Sequence, residues 1–275
     1  MADVRGYLLR RLFRIAPLFY TAIVLDLLIG EWQPDLAAKL LMNLTFSFGL
    51  ANPGSTSLLT GGWSIGIEMV FYVVFPAVLV IAAGSLRRLL AITAVAVVLT
   101  VTFVNFVLVG QSSMTLDLWA TYTQPVAFFG YFASGILLGE AYVRCQRLKG
   151  HAASVAVALL ALAPFFIVAP DTTVGLLTGW TGLTFMVCTL LFVAAVAFMR
   201  EPLGSTLSFA KWAGEVSYPV YLLHPIVYGF LTRNLTMSTW ARIVTAVLLT
   251  LLLSTVINRA IERPARDYGR RLAIP

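Results

Sequence analysis

Trp63-Ser-Ile-Gly-Ile-Glu68-Met-Val-Phe71-Tyr72-Val-Val-Phe-Pro76-Ala-Val-Leu-Val-Ile-Ala-Ala83 is the stretch whose reading decides the fold class. Apart from Glu68 it holds no charged side chain. As an α-helix rising 1.5 Å per residue it would reach roughly 31 Å, and crossing the hydrocarbon core of a bilayer takes about 20 such residues. Working outward, further runs of this kind lie at 15–30, 89–110, 122–142, 152–169, 176–199, 212–231 and 240–261. The run at 15–30 is short, but the basic turn before it can extend the helix. The intervening loops are short, and the chain has no repeat, low-complexity tract or linker, so residues 1–275 are expected to form a single membrane-embedded domain. The expected fold class is all-α: a polytopic helical membrane protein with about eight transmembrane helices.

Composition agrees. Hydrophobic residues make up 60% of the 275 and charged residues 11%, where a soluble domain carries about 25% charged. The net charge of +7 would raise nucleic acid as a partner for a soluble protein. Here the basic residues flank apolar spans, as cytoplasmic loops require, and no nucleic acid is expected. Anionic lipid headgroups or a phosphorylated cofactor are the natural partners for the surplus. Cys145 lies in a basic loop and Cys188 inside an apolar run. That placement supports neither a disulfide framework nor a metal site.

The basic loops set the orientation. Arg5, Arg10, Arg11 and Arg14 precede the first span; Arg87 and Arg88 follow the second; Arg144, Arg147 and Lys149 follow the fourth. Arg200 and Lys211 follow the sixth, and Arg259, Arg263, Arg266, Arg270 and Arg271 follow the last. The other loops are poor in positive charge, holding Asp117, Asp171 and Arg233. Alternation puts both ends of the chain in the cytoplasm. A full crossing at 35–50 would reverse every later loop, so that segment reads as a short re-entrant or interfacial helix on the outer side, with Lys39 an exception to the charge rule. Trp63, Trp212 and Trp240 each open a span, as an interfacial aromatic belt would place them. Arg10-Arg11 before an apolar run superficially suggests a twin-arginine signal. No small-residue cleavage site follows and Asp26 interrupts the run, so a retained helix is expected.

Ionisable residues within spans are costly in lipid unless they are paired or face a cavity, which makes Asp26, Glu68 and His224 informative. On this topology each lies roughly 7–11 Å below the outer boundary, a common depth at which the three can line one outward-facing polar cavity. The alternatives are structural: a Glu–His pair that locks two helices, and an Asp26 that reaches up to water. Arg11 and Arg14 lie one helical turn apart on one face, with Arg10 beside them. Guanidinium forks suit phosphate, so an acyl-coenzyme A could dock there; ordinary positive-inside topology is the simpler account.

A resemblance covers nearly the whole chain. Tyr7-Leu-Leu-Arg-Arg-Leu-Phe-Arg-Ile-Ala-Pro17 resembles the Arg-rich segment ending in Pro of the acyltransferase-3 family of membrane enzymes. Trp63-Ser-Ile-Gly-Ile-Glu68-Met-Val-Phe71-Tyr72, then Pro76, is similar to its Trp-Ser-x-x-x-Glu-x-x-Phe-Tyr helix. Ser217-Tyr-Pro-Val-Tyr221-Leu-Leu-His224-Pro resembles its late Ser-x-x-x-Tyr-Leu-x-His helix, and Glu262-Arg-Pro264 its closing Glu-(Lys/Arg)-Pro. The resemblance implies a transferase that moves an acyl group, commonly acetyl, from cytoplasmic acyl-coenzyme A to a hydroxyl of a sugar, glycan or lipid acceptor. It implies Arg11 and Arg14 at the donor, Glu68 and His224 in the reaction centre, Tyr72 and Tyr221 among the substrate-binding residues, and no resident cofactor or metal.

The chain also departs from the family, whose members have about ten spans and an Arg/Lys-x10-His motif in the first. This sequence starts just before the third family helix, and none of its residues matches that His. An N-terminal truncation lacking two helices is therefore expected, with the short chain catalytically silent. Glu68 or His224 would orient the absent base or relay protons, and His151, in a basic cytoplasmic loop, is a poor candidate. The rival class is a non-enzymatic transporter or exporter of a polar or acylated solute, because intramembrane charges also mark transport paths. Nothing in the sequence indicates the acceptor.

Overall fold

In lipid every backbone N–H and C=O must find a partner within the chain, and that requirement turns the apolar runs into helices. The computed structural model describes residues 3–29, 35–145, 150, 152–168, 172–200 and 204–273, among which there is no β-strand. Glu31, Arg147, Lys149, His151 and Asp171, with the expected span ends at Gly30 and Ala169, lie outside the described residues. The helices are α1 (Val4–Ile29), α2 (Leu36–Leu44), α3 (Pro53–Thr56), α4 (Trp63–Ala82), α5 (Leu86–Leu108), α6 (Leu116–Tyr122), α7 (Val126–Arg144), α8 (Ala152–Ile167), α9 (Thr173–Leu177), α10 (Gly179–Ala197), α11 (Ser205–Asn234), α12 (Thr239–Ile257) and α13 (Arg263–Leu272).

Each of the expected runs carries a helix. Of the described helical segments, α1, α4, α5, α6 with α7, α10, and α12 through α13 are long and apolar enough to cross a bilayer. At 16 residues α8 is short for a crossing, and α11 has the length but is made more polar by Lys211, Glu215, His224 and Arg233. The chain is an all-α polytopic membrane protein. The segment at 35–50 forms α2 and a 3-10 turn (Ser47–Leu50).

The helices divide into two compact units, residues 1–76 with 203–275 and residues 77–202. In the second, α5 packs along α7 through a shared hydroxyl: Thr100 Oγ1 donates to the Val126 carbonyl and accepts from the Gly130 N–H, both at 2.8 Å. Thr100 thereby enters a helical rung of α7, where Gly130 leaves no room for a side chain. Small residues and interhelical hydroxyl bonds are the means by which helices hold together in lipid.

In the first unit, Leu18, Phe19 and Ala22 of α1 form the core with Phe48, Leu222 and Leu223, all buried. The segment after α2 is clamped by Asn43, which is fully buried: its Nδ2 donates to the Lys39 and Thr56 carbonyls, and its Oδ1 accepts from the Leu58 N–H. Phe46 adopts φ 58°, unusual for an L-residue, and packs its ring at a tilt against Phe19, Tyr20 and Phe48. Gly49 and Gly66 then meet backbone to backbone, since a Cβ on Gly49 would lie 2.3 Å from the Gly66 oxygen. This contact fixes the first turns of α4.

The sequence expectation ends the last span at residue 261, whereas the helix continues. Residues Asn258–Glu262 form a π-turn and the chain runs on into α13. Pro264 cannot donate to the carbonyl one turn back, and a π-turn accommodates such a break without ending the helix. α13 then returns along α1, with Gly269 against Phe13 and Gly6 against the Ala273 carbonyl.

Candidate active site

Ser64, Glu68 and Tyr72 recur every fourth residue and so share one face of α4. At its start, Ser64 Oγ lies 2.7 Å from Tyr221 Oη, and the Tyr221 hydroxyl donates to the Gly61 carbonyl at 2.8 Å. One turn on, Tyr72 donates its hydroxyl to Glu68 Oε1 in a short hydrogen bond. One turn further, the Arg11 guanidinium of α1 sits over the Tyr72 ring at 5.0 Å and the Tyr7 ring at 5.4 Å. Such cation–π contacts contribute about 0.5–2 kcal/mol, more as they are desolvated. Tyr7 stacks in turn on Phe75 at 5.3 Å. The carboxylate and the arginine cluster, expected near opposite ends of their spans, are thus joined through one tyrosine.

Arg11 also belongs to a cavity of about 230 Å3 lined by Tyr7, Arg10, Arg11, Arg14, Arg266 and Arg270. Among the described residues no acidic side chain lines it. Arg10, Arg11 and Arg14 enter no ion pair among those residues, while Arg266 pairs with Glu262 at 3.2 Å and Arg270 with Asp267 at 3.4 Å. Glu262 is itself buried and accepts from Asn258 at 3.1 Å. Arg14 lies near enough to Tyr72, Tyr218 and Glu262 for its charge to act on each. Arg11 further forms a wall of an apolar groove of about 550 Å3 between α1 and α4, lined by Leu8, Leu12, Met69, Tyr72 and Val73 among others.

The prolines of α11 explain its motif. Pro225 has no N–H for the Tyr221 carbonyl, and the His224 ring takes that place, with Nδ1 2.9 Å from the Tyr221 oxygen and 3.1 Å from that of Val220. A carbonyl can only accept, so these bonds assign the hydrogen to Nδ1 and leave Nε2 with a free lone pair in the neutral ring. Pro219 likewise frees the Glu215 carbonyl, which Asn258 Nδ2 fills at 2.9 Å. His224 lines a cleft of about 250 Å3 between α11 and α12, with Val220, Tyr228, Val247 and Thr250 among its walls. Thr250 Oγ1 is buried there without a hydrogen-bond partner among the described residues.

The structure therefore joins Glu68, Tyr72 and Arg11 in one chain of contacts, puts Arg11 and Arg14 on one cavity, and ties Tyr221 to Ser64. It does not gather Asp26, Glu68 and His224 into the expected common cavity: neither carboxylate lines the His224 cleft. Asp26 has a local explanation. The Arg233 charge acts on it, and Arg233 Nη2 donates to the Ile29 carbonyl at 3.3 Å, satisfying an orphan acceptor at the end of α1. Sequence reasoning missed Ser64 as a partner of Tyr221, Tyr7 beside Arg11, and Arg266 and Arg270 in the basic cavity. The four-residue spacing of Ser64 and Glu68 could have signalled the first; nothing local signals the others.

A model of the family described as an acyltransferase domain matches residues 1–259. No curated protein and no solved structure matches the chain. With most of its length matched, and with the motif residues of α1, α4 and α11 in mutual contact, the chain belongs to the acyltransferase-3 family of membrane acyltransferases.

Proposed function

We propose that residues 1–275 act as one membrane-embedded domain of the inner (plasma) membrane, with both ends cytoplasmic. In this reading the chain carries its own base, in place of the silent short chain expected from the missing family helices, and transfers an acyl group, expected to be acetyl, from acyl-coenzyme A to a hydroxyl of a sugar, glycan or lipid. The carrying observation is the contact chain from Arg11 through Tyr72 to Glu68, which connects a phosphate-suited cluster to a carboxylate without crossing the bundle. Arg11 and Arg14 hold the donor's phosphates through charge-assisted bonds. The adjoining apolar groove takes the pantetheine and acyl arm. The acceptor oxygen attacks the thioester carbonyl carbon, the C–O bond forms as the C–S bond breaks, and the acceptor's proton passes by way of the base to the leaving thiolate. Two groups are suited to receive it: the carboxylate of Glu68, and His224 Nε2, which in the neutral ring holds the lone pair when Nδ1 donates. Tyr72 and Tyr221 position the reactants.

The test is transfer from labelled acyl-coenzyme A in membranes holding the protein. Glu68→Gln and His224→Ala should each lower the rate about 100-fold or more, the scale of general acid–base catalysis, with donor binding retained. Wild-type rates in both variants would overturn the assignment of the reaction centre.

A further inference from the structure

We propose that α13 forms the second half of the anion site, with Arg266 and Arg270 holding a phosphoryl group distinct from the one held by Arg11 and Arg14. The site's ligand then carries at least two separated phosphoryl groups. This inference rests on the donor reading above and sharpens it: among donors of that class, the site selects a coenzyme A thioester bearing its 3′-phosphate.

Three observations carry it. First, the cavity wall is made by two helices, α1 with Arg10, Arg11 and Arg14, and α13 with Arg266 and Arg270. Arg266 and Arg270 lie four residues apart, on one face of α13, and α13 lies beyond the residues that the family match covers. Second, the approach of the two helices is built in. A Cβ on Gly269 would stand 2.4 Å from Phe13 Cβ, and one on Gly6 would stand 3.0 Å from the Ala273 oxygen. Larger residues at either position would push α13 off α1 and open the cavity. Third, positive charge is in excess: Arg266 pairs with Glu262 and Arg270 with Asp267, while Arg10, Arg11 and Arg14 enter no ion pair among the described residues. Among the described residues five guanidinium groups and no carboxylate line about 230 Å3, and the buried Nε of Arg266 has no hydrogen-bond partner. Like charges this close repel one another, more strongly where water is scarce. An oxyanion relieves the repulsion, and a tetrahedral phosphoryl group offers the paired oxygens that each fork accepts. Forks carried on two separate helices suit two such groups, one at each wall.

The test measures equilibrium binding of coenzyme A and of its analogue lacking the 3′-phosphate to the purified full chain in zwitterionic nanodiscs. Removing Arg266 outright would strand the buried Glu262 carboxylate, so the variants are Arg270→Gln and Arg266→Lys. The latter keeps a cation beside Glu262 and loses only the fork. Arg271→Gln, exposed and outside the cavity, makes the same charge change as Arg270→Gln, and thermal melting checks that each variant is folded. The wild type should prefer coenzyme A over the analogue by about tenfold or more, the strength of a lost charged hydrogen bond. Arg270→Gln and Arg266→Lys should erase most of that preference while binding the analogue as the wild type does, and Arg271→Gln should change neither. If the α13 variants weakened both ligands equally, or if Arg271→Gln matched Arg270→Gln, α13 would act only as a diffuse field and the inference would fail with the donor reading intact. If the folded wild type bound neither ligand, both would fail. If phosphatidylglycerol added to the discs bound in an Arg270-dependent way while coenzyme A did not, the cavity would be a lipid headgroup site, which also overturns the proposal.

Discussion

Tyr72 has two separable jobs: its ring carries the Arg11 guanidinium and its hydroxyl donates to Glu68. Tyr72→Phe keeps the first and deletes the second. Steady-state kinetics on labelled donor should then show kcat falling about tenfold or more, the cost of one hydrogen bond to a charged group, with KM for the donor nearly unchanged. Tyr72→Ala should impair both. Equal losses in KM for the two variants would mean that the hydroxyl matters only through the donor. The motif made Glu68, Tyr72, Tyr221 and His224 legible as chemistry-bearing positions, because each is a polar group in an otherwise apolar run. Their partners were not legible. Arg11 reaches Tyr72, and Ser64 reaches Tyr221, across long stretches of sequence that no local pattern relates. The logic of His224-Pro225, by contrast, can be read from adjacent letters once one asks which carbonyl the proline leaves free.

The segment from α2 to the start of α4 positions the reaction face by backbone contact. A methyl group on Gly66 would fall 2.6 Å from a Phe48 ring carbon and 2.8 Å from the Gly49 Cα. Gly66→Ala should therefore destabilise the protein by about 1–3 kcal/mol, the usual cost of overpacking, seen as a lowered melting temperature in detergent. It should also disturb the Ser64–Tyr221 tie; a melting temperature at or above that of the wild type would contradict the close approach. Hydropathy located the spans because length and apolarity are local properties, and the helical start of α1 and the break between α6 and α7 adjusted only their ends. α13 escaped the reading for a physical reason. Its residues are polar and Pro264 normally marks a stop, whereas the π-turn before it absorbs the missing donor and the Arg-rich helix gains its place by docking on α1.

At the scale of the whole chain, the basic loops predict that position 88 is reached only from the cytoplasm. In a variant without Cys145 and Cys188, a cysteine at 88 should resist a membrane-impermeant maleimide in intact cells and react after the membrane is opened, while one at 117 should react at once. Labelling at 88 from outside would sink the eight-span topology. The unit that carries the site is itself discontinuous, made of residues 1–76 and 203–275, and this bears on how the protein is made. α1 emerges long before α13, and the ribosome must add residues 30–262 between them, roughly 10 to 50 s at 5–20 residues per second. Throughout that interval the arginines of α1 have only one wall of their cavity, and residues 77–202 are synthesised before it can close. Ligand affinity is thus acquired late, as translation reaches residue 270, and a nascent chain arrested earlier would be inserted yet unable to grip a two-phosphoryl ligand.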